Sequence, residues 1–178
     1  MLTALARDLA GWPLSQQNDG FQLQLDAKQQ VMIGLRTRRL FMASIISSHF
    51  SCRGEAPLTT PCRIEVHQPG WLRRRPVRFR SRQPAGQMLA AWLNGFPQLR
   101  QTLAELDYRA LSLTIDQHGW CCVIEPWAAS EVICRMPPLR RYLRLEQTQR
   151  VLLLSSLKML NEAFSLLGGL THPESGEN

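Results

Sequence analysis

The most distinctive chemistry in the sequence is a run of six arginines between residues 73 and 82, beginning shortly after Trp71. Guanidinium groups are planar forks of N–H donors that suit phosphates and carboxylates. Alternate side chains of a β-strand share one face. The predicted anion-binding face therefore consists of Arg74, Arg78, Arg80 and Arg82. Trp71 would add a stacking surface at the end of this face.

The same arginines can instead serve to protect the edge of a sheet, and the sequence does not decide between this role and anion binding. Pro76 lies inside the predicted strand 72–82 and lacks the N–H group that a central strand needs, so we expect this strand at a sheet edge. Charged side chains on an edge strand prevent its pairing with other sheets. The arginines therefore predict either a binding face for anions or protection of an edge.

A second arginine-rich segment follows a double proline and contains a tyrosine. If residues 139–145 are extended, Arg140, Tyr142 and Arg144 share a face; if they are helical, Arg140 and Arg144 do. We expect Arg140, Arg141 and Arg144 to contribute to anion binding, with Tyr142 as a second stacking residue. The sequence has no zinc-finger spacing, RNP-type aromatic motif or GXXG loop, so the indication is electrostatic alone.

The positive charge of the chain is segregated. The net charge is +7, from 21 Lys and Arg residues against 14 Asp and Glu residues. Fourteen of the 21 basic residues lie in the three segments 36–39, 73–82 and 135–150. Such a distribution suits a polyanion or an acidic protein surface as partner.

Other chemistries find little support in the sequence. The five cysteines include no Cys-x-x-Cys pair and the four histidines lack ligand spacing, so we expect neither a metal nor a cofactor. Segment 125–131 brings polar and aromatic residues together after a strand, and we interpret it as a turn anchored by a buried Trp127. No catalytic residues are predicted, which favours a binding protein over an enzyme.

Hydrophobic periodicity predicts the elements that position these residues. Alternation predicts strands at 21–25, 31–35, 40–51, 62–67, 72–82, 111–115, 120–125 and 130–135. Three- and four-residue steps predict a short N-terminal helix, a central helix broken at 94–97, and a long C-terminal helix from about 146 to 167. The natural arrangement is a single α+β domain over 1–170, mostly an antiparallel sheet with helices on one face. Residues 171–178 are predicted to form a disordered polar tail.

The C-terminal helix carries a wide apolar stripe, whose first interpretation is packing on the sheet. The alternative is a homodimer seam or a partner groove formed by Leu157, Leu160 and Phe164. Segment 151–167 is the most apolar stretch of the chain, but it contains several serines, a lysine, an asparagine and a glutamate. Because these side chains are unfavourable in a bilayer, no transmembrane segment is expected. No signal peptide is apparent either, and the predicted location is cytoplasmic.

Two stretches in the C-terminal half carry a family resemblance. They are Gly119-Trp120 through Glu125-Pro126-Trp127-Ala128-Ala129-Ser130-Glu131-Val132-Ile133-Cys134-Arg135, and Pro137-Pro138-Leu139-Arg140-Arg141-Tyr142. They resemble an uncharacterised gammaproteobacterial domain family of unknown function, which implies a bacterial, cytoplasmic protein and no particular activity. The order helix–strands–helix–strands–helix is also similar to type III secretion chaperones, although those are typically acidic dimers and this chain is basic.

The sequence thus predicts a non-catalytic binding domain for an anionic partner, either nucleic acid or an acidic protein surface. Binding would use the arginine strand and the arginine–tyrosine segment. One alternative is a dimeric protein–protein interaction or chaperone-like module that uses the C-terminal helix. Another is a small-molecule-binding domain with a pocket between the sheet and the helices.

Overall fold

The computed structural model describes residues 1–18, 20–27, 29–56, 60–68 and 75–171. The helices in these ranges are α1 (Leu2–Asp8), α2 (Pro84–Asn94), α3 (Pro97–Glu105) and α4 (Gln147–Thr171). The strands are β1 (Leu14–Gln17), β2 (Gly20–Gln24), β3 (Gln30–Arg39), β4 (Ala43–Gly54), β5 (Cys62–His67), β6 (Arg78–Arg80), β7 (Tyr108–Asp116), β8 (Gly119–Pro126), β9 (Ser130–Cys134) and β10 (Leu139–Leu143).

The described strands form one open sheet in which neighbouring strands are antiparallel. Its main path runs β1-β2-β3-β4-β8-β7-β5-β6. The 12-residue strand β4 is shared on one side by two partners, because its residues 50–54 pair with β8 and its residues 43–47 pair with β9. β10 pairs with β9 and extends this second branch.

A tight irregular segment separates β8 from β9 along β4. Ala129 in this segment has a φ of 50°, in the left-handed region. The Ser48 hydroxyl donates to the Ala129 carbonyl oxygen at 2.8 Å, and the Ser130 hydroxyl donates to the Trp127 carbonyl oxygen at 2.8 Å. The Trp127 residue itself is 59% exposed. The prediction of a turn anchored by a buried Trp127 is therefore wrong, since serine hydroxyls hold the turn instead.

The sheet has one face covered by helices and one open face. In β3, Val31 and Ile33 are buried while Met32 between them is exposed, as the period of two requires. The buried side chains join residues of all four helices in one core, where Trp120 of β8 stacks on Phe164 of α4 with ring centroids 4.6 Å apart. The prediction of an α+β domain, with helices packed on an antiparallel sheet, is confirmed.

Helix α4 contributes its apolar stripe to this core. Leu157, Leu160 and Phe164 are at most 1% exposed within a single chain. These residues are therefore not exposed for contact with a partner. The predicted partner interface is replaced by a role in the core of the same chain. By length and composition alone, residues 147–168 are long and apolar enough to cross a membrane, a property that they share with buried core helices of soluble proteins.

Differences from the predicted elements have local causes. The central helix breaks between Asn94 and Pro97 as predicted, because proline starts a new helix more easily than it continues one. Helix α4 continues through Gly168 to Thr171 although glycine favours a helix end. Residues 172–178, most of the predicted polar tail, lie outside the described ranges.

Candidate anion-binding site

A basic recess lies where the edge strand β6 meets β5 and α3. It has a volume of about 370 Å³ and is lined by His67, Arg75, Pro76, Arg78, Arg80 and Arg100. Four of these six residues are arginines, and no carboxylate is among them. A recess lined in this way concentrates positive potential and attracts anions.

Strand β6 directs two arginines into the basic recess. Phe79 is buried in the core, so Arg78 and Arg80 on either side of it face away from the core. Asn94 at the end of α2 holds the strand in place. Its Oδ1 accepts a hydrogen bond from the Phe79 N–H at 3.0 Å, and its Nδ2 donates to the Phe79 carbonyl oxygen at 2.9 Å.

Arg100 forms the α3 side of the basic recess. Its Nε donates to the Val77 carbonyl oxygen at 2.8 Å and its Nη1 donates to the Asn94 carbonyl oxygen at 3.3 Å. The Val77 N–H donates in return to the Arg100 carbonyl oxygen at 3.1 Å. These two side-chain bonds use two of the five guanidinium donors, so the charge is fixed in place and donors remain for a ligand. Sequence reasoning missed Arg100, because its only local signal is a lone arginine within a helix.

The predicted strand 72–82 is described in the structure from Arg75 onward. Within the described residues only β6 is extended in the sheet, because Pro76 has no N–H to donate and interrupts the alternation. Arg75 is an odd number of residues from Arg78 and would lie on the opposite face of a continuous strand, but with the alternation interrupted it lines the same recess.

Of the other described members of the predicted arginine face, Arg82 is not among the residues that line the recess. Arg82 lies beyond β6, with its Nε 3.4 Å from Glu65 Oε1, and its side chain is 89% exposed. Such an exposed ion pair is weak, because water competes for both charges. Arg74 and Trp71 lie outside the described residues.

The second arginine segment forms β10 and binds carboxylates of its own chain. Arg140 makes a two-pronged ion pair with the buried Glu131, with Nε–Oε1 at 2.8 Å and Nη2–Oε2 at 3.0 Å. This hydrogen bonding from Arg140 lowers the pKa of Glu131 below its ordinary value. The Tyr142 hydroxyl donates to Asp8 Oδ2 at 2.9 Å, and burial together with Asp8 raises the pKa of Tyr142.

Asp8 at the end of α1 is the centre of this network. Besides Tyr142, its carboxylate accepts hydrogen bonds from Arg144 Nε at 3.2 Å and from the Leu145 N–H at 2.8 Å. The Arg150 side chain donates to the Asp8 carbonyl oxygen. These contacts attach α1 to the chain between β10 and α4.

The two predicted arginine segments are therefore not brought together. β6 ends the main path of the sheet, whereas β10 belongs to the branch that pairs with β4 through β9. Arg140 and Arg144 face internal carboxylates, while Arg141 is exposed on β10. We expected both segments to contribute to anion binding. In the structure, the first segment lines a basic recess at β6, and the second forms hydrogen bonds with carboxylates of its own chain at β10.

A further charged cluster joins three residues that are distant in sequence. Arg109 Nε lies 2.8 Å from Oε1 of the buried Glu125, and its Nη2 donates to Oε2 at 3.0 Å. His49 Nε2 lies 3.7 Å from Glu125 Oε2. Burial lowers the pKa of His49, so the imidazole is neutral at neutral pH. Arg109 balances the negative charge of Glu125, which is buried in the sheet. In the sequence, this cluster is indicated by the presence of Glu125 within an apolar strand.

The described residues contain no group of three His, Cys, Asp or Glu side chains that could hold a metal ion. The described cysteines are free thiols. Burial raises the pKa of Cys52, Cys62 and Cys122, which favours the unreactive thiol form.

The fold and the recess define an open antiparallel α+β domain with a cationic surface site. Residues 7–164 match the family described as Protein of unknown function (DUF3156), and the chain belongs to that family. The resemblance to an uncharacterised domain family is thereby confirmed. No curated protein and no solved structure matches the chain.

Proposed function

We propose that this protein is a non-catalytic binding domain that holds the phosphate backbone of a nucleic acid in the basic recess. The observation that carries the proposal is that Arg75, Arg78, Arg80 and Arg100 line one recess, and that no carboxylate is among its described lining residues. Guanidinium groups bind phosphate oxygens in pairs of parallel hydrogen bonds. The volume of about 370 Å³ lies within the range of small-ligand sites and leaves room for a phosphate group with its sugar.

The backbone hydrogen bonds around β6 favour ligand binding over edge protection. Edge strands attract other sheets through unpaired N–H and C=O groups. At this edge, Asn94 takes both backbone groups of Phe79, and Arg100 takes both backbone groups of Val77. Since these groups are already occupied, charge is not needed to block pairing, and anion binding explains the arginines better.

Recognition through this site would depend on charge and not on base sequence. No aromatic side chain is among the described residues that line the recess. Phosphate contacts fix the position of a nucleic acid and carry no sequence information. An acidic protein surface is the alternative partner, because carboxylates bind guanidinium in the same geometry. The bacterial, cytoplasmic setting implied by the family resemblance is part of this proposal.

The test is a fluorescence-anisotropy titration of the full chain with short labelled single- and double-stranded oligonucleotides at low and moderate salt. The Arg78→Gln/Arg80→Gln variant is expected to bind about tenfold more weakly, to the same extent for every base sequence, since charged hydrogen bonds are lost. The matched control Arg53→Gln/Lys158→Gln removes the same charge from exposed positions on β4 and α4 and should bind within about twofold of the unchanged protein.

Three results would overturn the proposal. The first is absence of oligonucleotide binding by the unchanged protein even at low salt. The second is an equal loss of affinity in both double variants, which would show a dependence on net charge and not on the basic recess. The third is binding to polyglutamate in the absence of oligonucleotide binding, which would assign the recess to an acidic protein.

A further inference from the structure

Two turns at one end of the sheet present exposed apolar side chains. Phe41 in the turn between β3 and β4 is 95% exposed, and Leu40 and Met42 beside it are exposed as well. Met136 in the turn between β9 and β10 is 75% exposed, and Leu139 follows it at the start of β10. We call these five residues the apolar tip.

The two turns are neighbours in space. The Arg135 N–H donates to the Met42 carbonyl oxygen at 2.9 Å. The strand register pairs Ala43 with Cys134, and Cys134 in turn with Leu139. The exposed apolar residues therefore form one patch at the end of three adjacent strands, and patches of this kind mark interaction sites.

Arginines surround the apolar tip. Arg38 and Arg39 lie on the β3 side, and Arg135 and Arg141 lie on the β9–β10 side. All four are exposed, and in the described parts of the chain none of them forms an ion pair. Arg38 and Arg141 stand in one cross-strand row, separated by a residue of β4 and a residue of β9.

We propose that the apolar tip docks on the surface of an anionic lipid bilayer, with its side chains at the boundary of headgroups and acyl chains and the arginines on lipid phosphates. Apolar groups at such interfaces reach about 5–10 Å into the membrane, held in addition by attraction to anionic lipids. Arg38 precedes Phe41 by three residues, a span of at most about 10 Å along the chain. That separation places the guanidinium at headgroup level when the Phe41 ring is inserted.

The shape and charge of the tip favour a bilayer over a protein partner. Phe41 projects from a turn, and a fluid interface accepts a projecting side chain without a complementary pocket. The unpaired arginines complement the negative surface of anionic lipids. The tip lies on the β4–β9–β10 branch of the sheet, away from β6 and the basic recess, so this interaction is additional to the proposed function.

The experiment is co-sedimentation of the full chain with vesicles of phosphatidylcholine alone and with vesicles that contain about 30% phosphatidylglycerol. The unchanged protein should bind the anionic vesicles and bind the neutral ones weakly. The Phe41→Ser/Met136→Ser variant should lower the partition coefficient on anionic vesicles by about tenfold or more, because two inserted apolar side chains are lost. Arg38→Gln/Arg141→Gln should bring binding close to that on neutral vesicles.

The control is Met88→Ser on α2, which removes an exposed methionine outside the apolar tip and should leave vesicle binding unchanged. All substituted residues are on the surface, so unchanged melting temperatures would verify folding. Failure of the unchanged protein to bind anionic vesicles would overturn the proposal, as would full binding by Phe41→Ser/Met136→Ser. Concentration-dependent self-association that this variant abolishes, without vesicle binding, would assign the tip to a second copy of the chain.

Discussion

Replacement of Asp8 by alanine removes the carboxylate that attaches α1 to the chain between β10 and α4. This buried side chain accepts hydrogen bonds from the Tyr142 hydroxyl at 2.9 Å, the Leu145 N–H at 2.8 Å and Arg144 Nε at 3.2 Å. In the alanine variant these donors lose their acceptor. Leu145 is only 1% exposed, so water has little access to its amide.

The free energy of unfolding that the Asp8→Ala variant loses depends on how deeply each released donor is buried. A buried donor left without a partner costs about 1–3 kcal/mol, and we count the Leu145 amide and the half-buried Tyr142 hydroxyl. The Arg144 side chain is 72% exposed and is solvated when released, so it adds little. The expected loss in free energy of unfolding is about 2–4 kcal/mol, a large part of a typical domain stability.

Urea denaturation followed by tryptophan fluorescence measures this loss. Tyr142→Phe removes one donor and should cost about 1 kcal/mol, while Arg144→Gln should cost less than about 0.5 kcal/mol. A loss below about 1 kcal/mol for Asp8→Ala, or a larger loss for Arg144→Gln than for Tyr142→Phe, would refute this assignment of the β10 arginines and tyrosine to structure.

Two further predictions concern stability. Arg140 lowers the pKa of Glu131 in the folded chain. The ion pair therefore stabilises the folded state at pH values above the ordinary pKa of a glutamate, and this contribution is lost as the pH falls through the lowered pKa. The unchanged protein should therefore have a higher urea midpoint than Glu131→Gln near pH 7. The difference should begin to shrink below about pH 4.3 and disappear only below the lowered pKa of Glu131 in the folded chain; a difference that stays constant on acidification would contradict the ion-pair explanation. Phe164→Ala should cost about 3–5 kcal/mol because the ring is buried against Trp120, whereas Leu166→Ala, an exposed site on the same helix, should be nearly neutral. Equal melting temperatures for these two alanine variants would show that the stacked pair is not part of the core.

The helices and strands that the sequence predicts correctly are those with a hydrophobic pattern or a proline within the element itself. Alternation in β2, β3, β7 and β8 and the proline at the start of α3 determine local structure directly. β1 has mostly polar, exposed residues on both faces, so no alternation reveals it, and it forms because β2 offers a free edge. The sequence of β10 is compatible with either a helix or a strand, and the hydrogen-bonded pairing with β9 makes it a strand.

The candidate site was predictable only in part. The period of two placed Arg78 and Arg80 on one face, and the burial of Phe79 between them confirms that geometry. Arg100 joins them because α3 packs beside β6, a tertiary contact that leaves no trace in its local sequence. The same limit applies to Asp8, whose partners are more than 130 residues away along the chain.

If arginines of the basic recess contact phosphates, these contacts must appear in the slope of log binding constant against log salt concentration. Each phosphate contact with a single strand contributes about 0.7 to the magnitude of this slope. The Arg78→Gln/Arg80→Gln variant should therefore show a slope smaller by about 1.4, while Arg82→Gln, outside the recess lining, should keep the slope of the unchanged protein. Equal slopes for the unchanged protein and the double variant would contradict phosphate contact by the arginines of the basic recess.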